Sequence, residues 1–291
     1  MPQYLRQGTL RFAPGFKLQT RWGLSEASVF TLECAGAPLV ALAAITQAGI
    51  PATATGVAFV VAAIALLLNH LGRPLRSWRA IANFRHAWIS RGSVALTLVV
   101  VVGLWHLLVQ ATADAPGDSA TQAVIAVVLL FLGAFIGTYP GFVLSSSPAI
   151  PFWNSALLPV LSLLQGVSAA LLLLAAFLAG SGNGLPWVGP AALMTLTALG
   201  ILLALYVGVM RGRDGAARES ANYLLRCHPG QFAFGACACG IVLPLVIVFA
   251  WVAGSVEMGL MTLTLAAVAR LAGDVALRHA FLKVGMYEPV V

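Results

Sequence analysis

Eight runs of about twenty apolar residues occupy most of this 291-residue chain, at about 27–48, 51–70, 92–113, 122–144, 154–179, 188–210, 231–254 and 259–277. A helix crosses the hydrocarbon core of a bilayer in roughly 20 residues. Inside that core every backbone amide must find its partner within the segment, so such runs fold as helices. Only 9% of the residues are charged, against roughly 25% in a soluble domain. The expected fold is an all-α integral membrane protein, an eight-helix transmembrane bundle. Residues 1–26 read as an N-terminal tail, 27–277 as the bundle and 278–291 as a C-terminal tail. The basic opening leads into a run long enough to span, so the first helix is expected to be retained and not removed as a signal.

Charge placement orients the bundle. All sixteen Lys and Arg fall in four segments: the N-terminal tail, 71–91, 211–230 and the C-terminal region. With eight spans, those segments share one side. The opposite connections carry only Asp114, Asp118 and Glu257. Loops rich in Lys and Arg stay in the cytoplasm, so both termini are expected there, in a bacterial inner membrane. The net charge of +7 follows from that asymmetry and from contact with anionic membrane lipids; it points to no nucleic acid. Cys34, Cys227, Cys237 and Cys239 lack paired metal spacing and read as small hydrophobes.

Ionisable groups inside spans are costly, so each is a functional candidate. Glu33, in the first helix, reads either as a proton-handling group or as a structural hydrogen bond, and it needs a partner if ionised. Arg270, Asp274 and Arg278 recur every four residues on one helix face, which suggests a self-neutralising brace. His106 lies deep in the third run. Tyr139 precedes Pro140-Gly141, which read as a helix break that frees backbone groups. Trp153 reads as an interfacial anchor and Asn154 as the cap of the fifth helix. Gly133 and Gly137 suit close helix packing.

Chemistry concentrates in HLGRPLRSWRAIANFRHAWISRG, residues 70–92, with Arg73, Arg76, Arg79, Arg85 and Arg91 between two apolar runs. Placing an arginine in hydrocarbon costs roughly 2.5–3.5 kcal/mol or more, so this segment belongs at a membrane surface. His70 stands where the apolar run ends.

This stretch resembles the signature of the polysulfide reductase membrane-subunit family. TYPGFVLSSSPAIPFWNSALLPVLSLL, residues 138–164, resembles the same family's Tyr-x-Gly…Ile-Pro-x-Trp-Asn…Leu-Pro-Val-Leu stretch. The leading histidine is also what dimethyl sulfoxide reductase anchor subunits use. The resemblance implies a membrane anchor, itself without haem or metal, that exchanges electrons between the quinone pool (menaquinone or ubiquinone) and an iron–sulfur subunit with several 4Fe–4S clusters. That partner would connect to a molybdopterin catalytic subunit acting on a sulfur compound. Carried over by position, His70 and Arg73 fall on the signature and Tyr139 on the tyrosine of the quinone pocket. Glu33, Trp153 and Asn154 join them as candidate quinone contacts.

Two departures stand out. The dimethyl sulfoxide reductase anchors have a glutamate where this chain has Gly92, and Glu33 is the candidate to take its place. The polysulfide branch usually has Asp where this chain has His70. Histidine both takes and gives a proton near neutrality. Two other readings stay open: a haem b anchor using two of His70, His106, His228 and His279, and a transporter built on Glu33 and Asp274.

Overall fold

A computed structural model describes residues 15–69, 87–112, 119–182, 184–254 and 259–288. Among them eight helices are long and apolar enough to cross a membrane. They are α1 (Leu24–Thr46), α2 (Ile50–Asn69), α3 (Trp88–Thr112), α4 (Ser119–Ser145), α5 (Leu157–Ser181), α6 (Val188–Gly212), α8 (Gly230–Val252) and α9 (Leu260–Lys283). The expected all-α membrane bundle is what the chain forms. One further helix, α7 (Gly215–Cys227), lies between α6 and α8.

Helix α1 sits at the centre, against α2, α4, α5 and α9. Of its most apolar stretch 78% is buried, and of that of α5 67%, while the other spans bury 28–44%. These two are therefore the inner helices, and the rest turn much of their surface to lipid. Small residues let them meet closely. Gly166 of α5 lies against the Cys34 carbonyl with no room for a side chain, and Gly133 of α4 packs on Ala37 and Pro38 of α1.

Three boundaries differ from expectation. Pro140 does not break α4, which continues to Ser145. Asn154 does not cap α5, which begins at Leu157. Helix α9 runs past residue 277 to Lys283, so Arg278 belongs to the bundle and is 7% exposed. This helix packs on an unusual neighbour: residues Gly230–Val242 of α8 form π-helix, with the Leu243 amide bonded to the Ala238 carbonyl.

The chain ends meet on one face. Strands β1 (Lys17–Leu18) and β2 (Met286–Tyr287) pair antiparallel. The Gln19 amide side chain donates to the carbonyls of Trp22 and Leu282, and the Gln19 backbone amide donates to Gly285 at 2.8 Å. Helix α7 lays Ala216, Ala217, Ser220, Ala221 and Leu224 inward. Its first turn is tied to the C-terminal segment, because the Ala216 amide donates to the Glu288 carboxylate at 3.1 Å. Lys17, Arg21, Arg211, Arg213, Arg218 and Arg226 all belong to this face.

Candidate functional site

Glu33 and Arg278 are buried toward that same end. Glu33 lies nine residues into α1 and is 1% exposed. Its Oε1 has no hydrogen-bond partner among the described residues. An unpaired carboxyl oxygen removed from water is expensive, which singles the position out. The next residue, Cys34, places its Sγ 3.4 Å from the Ile136 carbonyl and 3.6 Å from Ser162 Oγ.

Tyr139 of α4 lies at the same end of the bundle, where Glu33 and Cys34 are among the groups that act on it electrostatically. Its ring is 6% exposed and rests on the backbone of Gly92 in α3, where any Cβ would collide with it. Beside it, Trp88 stacks on Phe142 with centroids 4.7 Å apart, and the Arg91 guanidinium lies 4.9 Å from the Trp88 ring centre. Thus α1, α3 and α4 converge where α2 ends and α3 starts. His70 and Arg73, with Arg76, Arg79 and Arg85, lie outside the described residues.

Helix α9 supplies what the sequence reading took for a self-contained brace. Arg270 donates from Nε to Ser168 Oγ at 3.0 Å, from Nη1 to the Gly240 carbonyl at 3.0 Å and from Nη2 to Asp274 Oδ1 at 3.1 Å. The Gly240 carbonyl sits in the π-helical stretch, and Gly240 and Gly273 touch backbone to backbone, which brings it within reach. Arg278 donates from Nε to Asp274 Oδ2 and from Nη1 to Ser162 Oγ, each at 3.3 Å. Its Nη2 is buried with no partner among the described residues. One carboxylate therefore serves two arginines, and the ladder does not neutralise itself.

Between α1, α4, α5 and α9 lies a cavity of about 20 Å³ touched by Phe30, Gly141, Ser162, Gln165, Arg278 and Phe281. That is room for about one water, far below the roughly 300 Å³ of the smallest usual ligand pockets. A larger recess, about 540 Å³, lies between α3 and α4 in the other half of the bundle. Its walls, among them Val101, Leu104 and Val128, are apolar apart from the indole of Trp105. It is lipid-facing surface and not the chemical site.

Trp153 and Asn154 stand apart from this chamber. Trp153 is 4% exposed, donates to the Phe281 carbonyl at 2.9 Å and packs 5.7 Å from Trp22. It is therefore no anchor at the lipid interface. Asn154 is exposed, and its side chain donates to the Ser145 carbonyl at 3.0 Å, closing the α4–α5 turn. Phe152, Tyr206 and Phe281 interlock beneath, and the Tyr206 hydroxyl donates to the Phe152 carbonyl. His106 lies 3.0 Å from the Gln110 amide and His279 2.6 Å from that of Gln231.

Sequence reasoning missed Ser162, Gln165 and the free edge of Arg278. Two isolated polar residues in the apolar run 157–181 were the available signal.

The comparisons agree with this architecture. The family model described as "Polysulphide reductase, NrfD" matches residues 26–288. Protein NrfD of Escherichia coli is 27% identical over 261 residues, covering 78% of this chain and 79% of that protein. A NrfD homolog of Haemophilus influenzae is 24% identical over 209 residues, covering 63% of this chain and 65% of that protein.

Proposed function

The chain belongs to the polysulphide reductase NrfD family, and from that premise we propose that it is the quinone-reactive membrane anchor of a multisubunit oxidoreductase. In this reading it exchanges electrons between the quinone pool and an iron–sulfur subunit with several 4Fe–4S clusters. That subunit connects in turn to a molybdopterin catalytic subunit that acts on a sulfur compound. The observation that carries the reading is the buried Oε1 of Glu33, which has no hydrogen-bond partner among the described residues, at the end of the bundle that also holds Tyr139.

A quinone, menaquinone or ubiquinone, supplies exchange of two electrons and two protons when bound. The water-sized chamber against Arg278 is too small for its ring, so the ring's place is outside it, toward Tyr139 and the segment that carries His70 and Arg73. Glu33 fits such a site because its free oxygen can hold a proton. Tyr139 presents a hydroxyl for a ring oxygen, and Gly92 keeps that hydroxyl in place. His70 takes and gives a proton near neutrality, and Arg73 supplies a fixed donor. Trp153 and Asn154 brace the same end of the bundle, Trp153 against Trp22 and the Phe281 carbonyl and Asn154 at the α4–α5 turn.

The basic face made by the chain ends and α7 lies in the cytoplasm of a bacterial inner membrane by the positive-inside rule, and the iron–sulfur partner docks there. The test is quinol-linked turnover of the assembled complex with His70→Ala and Glu33→Gln. Losses of at least tenfold in both support the reading; unchanged turnover in both removes it.

A further inference from the structure

We propose that Cys34 and Ser162 are positioning residues for Tyr139: they complete a buried series of hydrogen bonds that serves two carbonyls left without an amide by Pro140 and Pro244. That Tyr139 meets the quinone rests on the reading above; the series of hydrogen bonds does not.

A proline inside a helix has no N–H, so the carbonyl four residues earlier loses its partner. Pro140 lies inside α4 and withholds the amide that would serve Ile136. Pro244 stands in the first turn of the α-helical part of α8 and, at the α-helical spacing, withholds the amide that would serve Gly240. Hydrocarbon offers such a carbonyl no water, so a neighbouring helix has to bring the donor. At Gly240 the donor is Arg270 Nη1, at 3.0 Å. At Ile136 it is the thiol of Cys34 on α1, fully buried, with Sγ 3.4 Å from the carbonyl oxygen.

A thiol is a weak donor, and the groups behind it fix its aim. Arg270 Nη2 and Arg278 Nε hold the two oxygens of Asp274, and Arg278 Nη1 donates to Ser162 Oγ at 3.3 Å. Ser162 therefore accepts from Arg278 and has its one hydroxyl proton to give to Cys34 Sγ, 3.6 Å away. That leaves the thiol proton for the Ile136 carbonyl. The donors Arg278, Ser162 and Cys34 thus all point the same way, from α9 through α5 and α1 to α4. In the other direction Asp274 and Arg270 carry the series to α8. Two helices interrupted by proline are pinned to one buried ladder.

Tyr139 is the residue that the pin holds. It stands in the turn between Ile136 and Pro140, and its ring rests on Gly92 of α3. With the Ile136 carbonyl held from α1, α4 keeps its path past the proline and runs on to Ser145. Without that donor α4 kinks at Pro140 and carries the Tyr139 ring off Gly92. The series keeps its protons where they are and passes none along.

The experiment is a double-mutant cycle between positions 34 and 140 in the native complex, read by thermal unfolding, quinol-linked turnover and the infrared S–H stretching band. Pro140→Ala returns an amide to the Ile136 carbonyl and so removes the need for the thiol. Cys34→Ala is expected to lower the unfolding temperature and to reduce kcat/KM for quinol by about fivefold. Cys34→Ser keeps a donor and regains most of both, and in the Pro140→Ala background Cys34→Ala costs clearly less. The S–H band that disappears in Cys34→Ser is expected at a hydrogen-bonded frequency in wild type, displaced upward in Pro140→Ala and moved in Ser162→Ala. Additive losses in the cycle overturn the proposal, as does an S–H band at the free-thiol frequency that Pro140→Ala leaves in place. Should Cys34→Ala not assemble, the S–H band of Pro140→Ala decides alone. If the cycle couples and the band moves while Tyr139→Phe leaves turnover unchanged, the quinone reading falls and the pinning of α4 stands.

Discussion

Tyr139 rests its ring on the bare backbone of Gly92, so closely that a Cβ at position 92 would fall on the ring and lie 2.7 Å from the hydroxyl. Glycine here is the condition for the tyrosine's position. In the dimethyl sulfoxide reductase anchors, which this chain resembles in part, a glutamate stands there. Tyr139 fills that space in this chain, which leaves no room for a side chain at position 92.

Gly92→Ala is therefore expected to cost about 1–3 kcal/mol by overpacking and to displace Tyr139. Tyr139→Phe keeps the ring and the fold and loses only the hydroxyl. Thermal unfolding in detergent and quinol-linked turnover separate the two: Gly92→Ala lowers both, Tyr139→Phe lowers turnover alone. In the Gly92→Ala/Tyr139→Ala double variant the stability loss falls below the sum of the singles.

Asp274→Ala strands two buried arginines. Breaking a buried pair by removing one partner costs about 3–5 kcal/mol, and here one carboxylate serves two cations. The expected outcome is little folded protein by size-exclusion chromatography in detergent. Ser168→Ala, which removes one hydroxyl from Arg270, is expected to cost about 1–3 kcal/mol and leave the protein foldable.

His228 precedes α8 on the polar face, edge-on to Tyr223 at 5.5 Å. Partial burial and then the nearby Lys283 charge hold its pKa below 6.5. The unfolded chain then binds more protons than the folded one between the two values, so stability rises with pH across that window. It is fully present above about 6.5 and is lost as pH falls through the lowered value. Unfolding temperatures measured from pH 7.5 to 5 should fall more steeply for wild type than for His228→Gln; equal slopes would remove this contribution.

Cys227, at the end of α7, is the exposed cysteine among the four. A membrane-impermeant maleimide is expected to label it in inside-out vesicles and to leave it untouched in right-side-out ones. Labelling from the periplasmic side would invert the orientation drawn from the basic segments.

Much of the fold was legible because hydrocarbon leaves a chain few choices: the eight apolar runs became eight helices, and Gly133 and Gly137 became packing points. What was not legible came from tertiary placement. Pro140 reads as a break, yet α4 runs on to Ser145, with Gly141 packed tightly against Pro159. Trp153 has the look of an interfacial anchor, but the closed ends of the chain bury it under Trp22. Spacing placed Arg270, Asp274 and Arg278 on one face correctly. It could not reveal that Arg270 spends a donor on a π-helical carbonyl of α8, nor that Arg278 keeps one free. Helix α7 escaped because thirteen polar and small residues between spans resemble a loop, although its Ala, Ser and Leu recur at helical spacing.

The central claim is a quinone head held at the end of the bundle that carries Glu33 and Tyr139, with His70 as one of its contacts. Photo-crosslinking the native complex with a light-activated quinone analogue, followed by peptide mapping, tests it most directly. The account predicts adducts on residues 70–92 and around Tyr139, competed away by natural quinone and weakened by Glu33→Gln. Competable adducts confined to the α3–α4 recess around Trp105, with none near Tyr139, would contradict it.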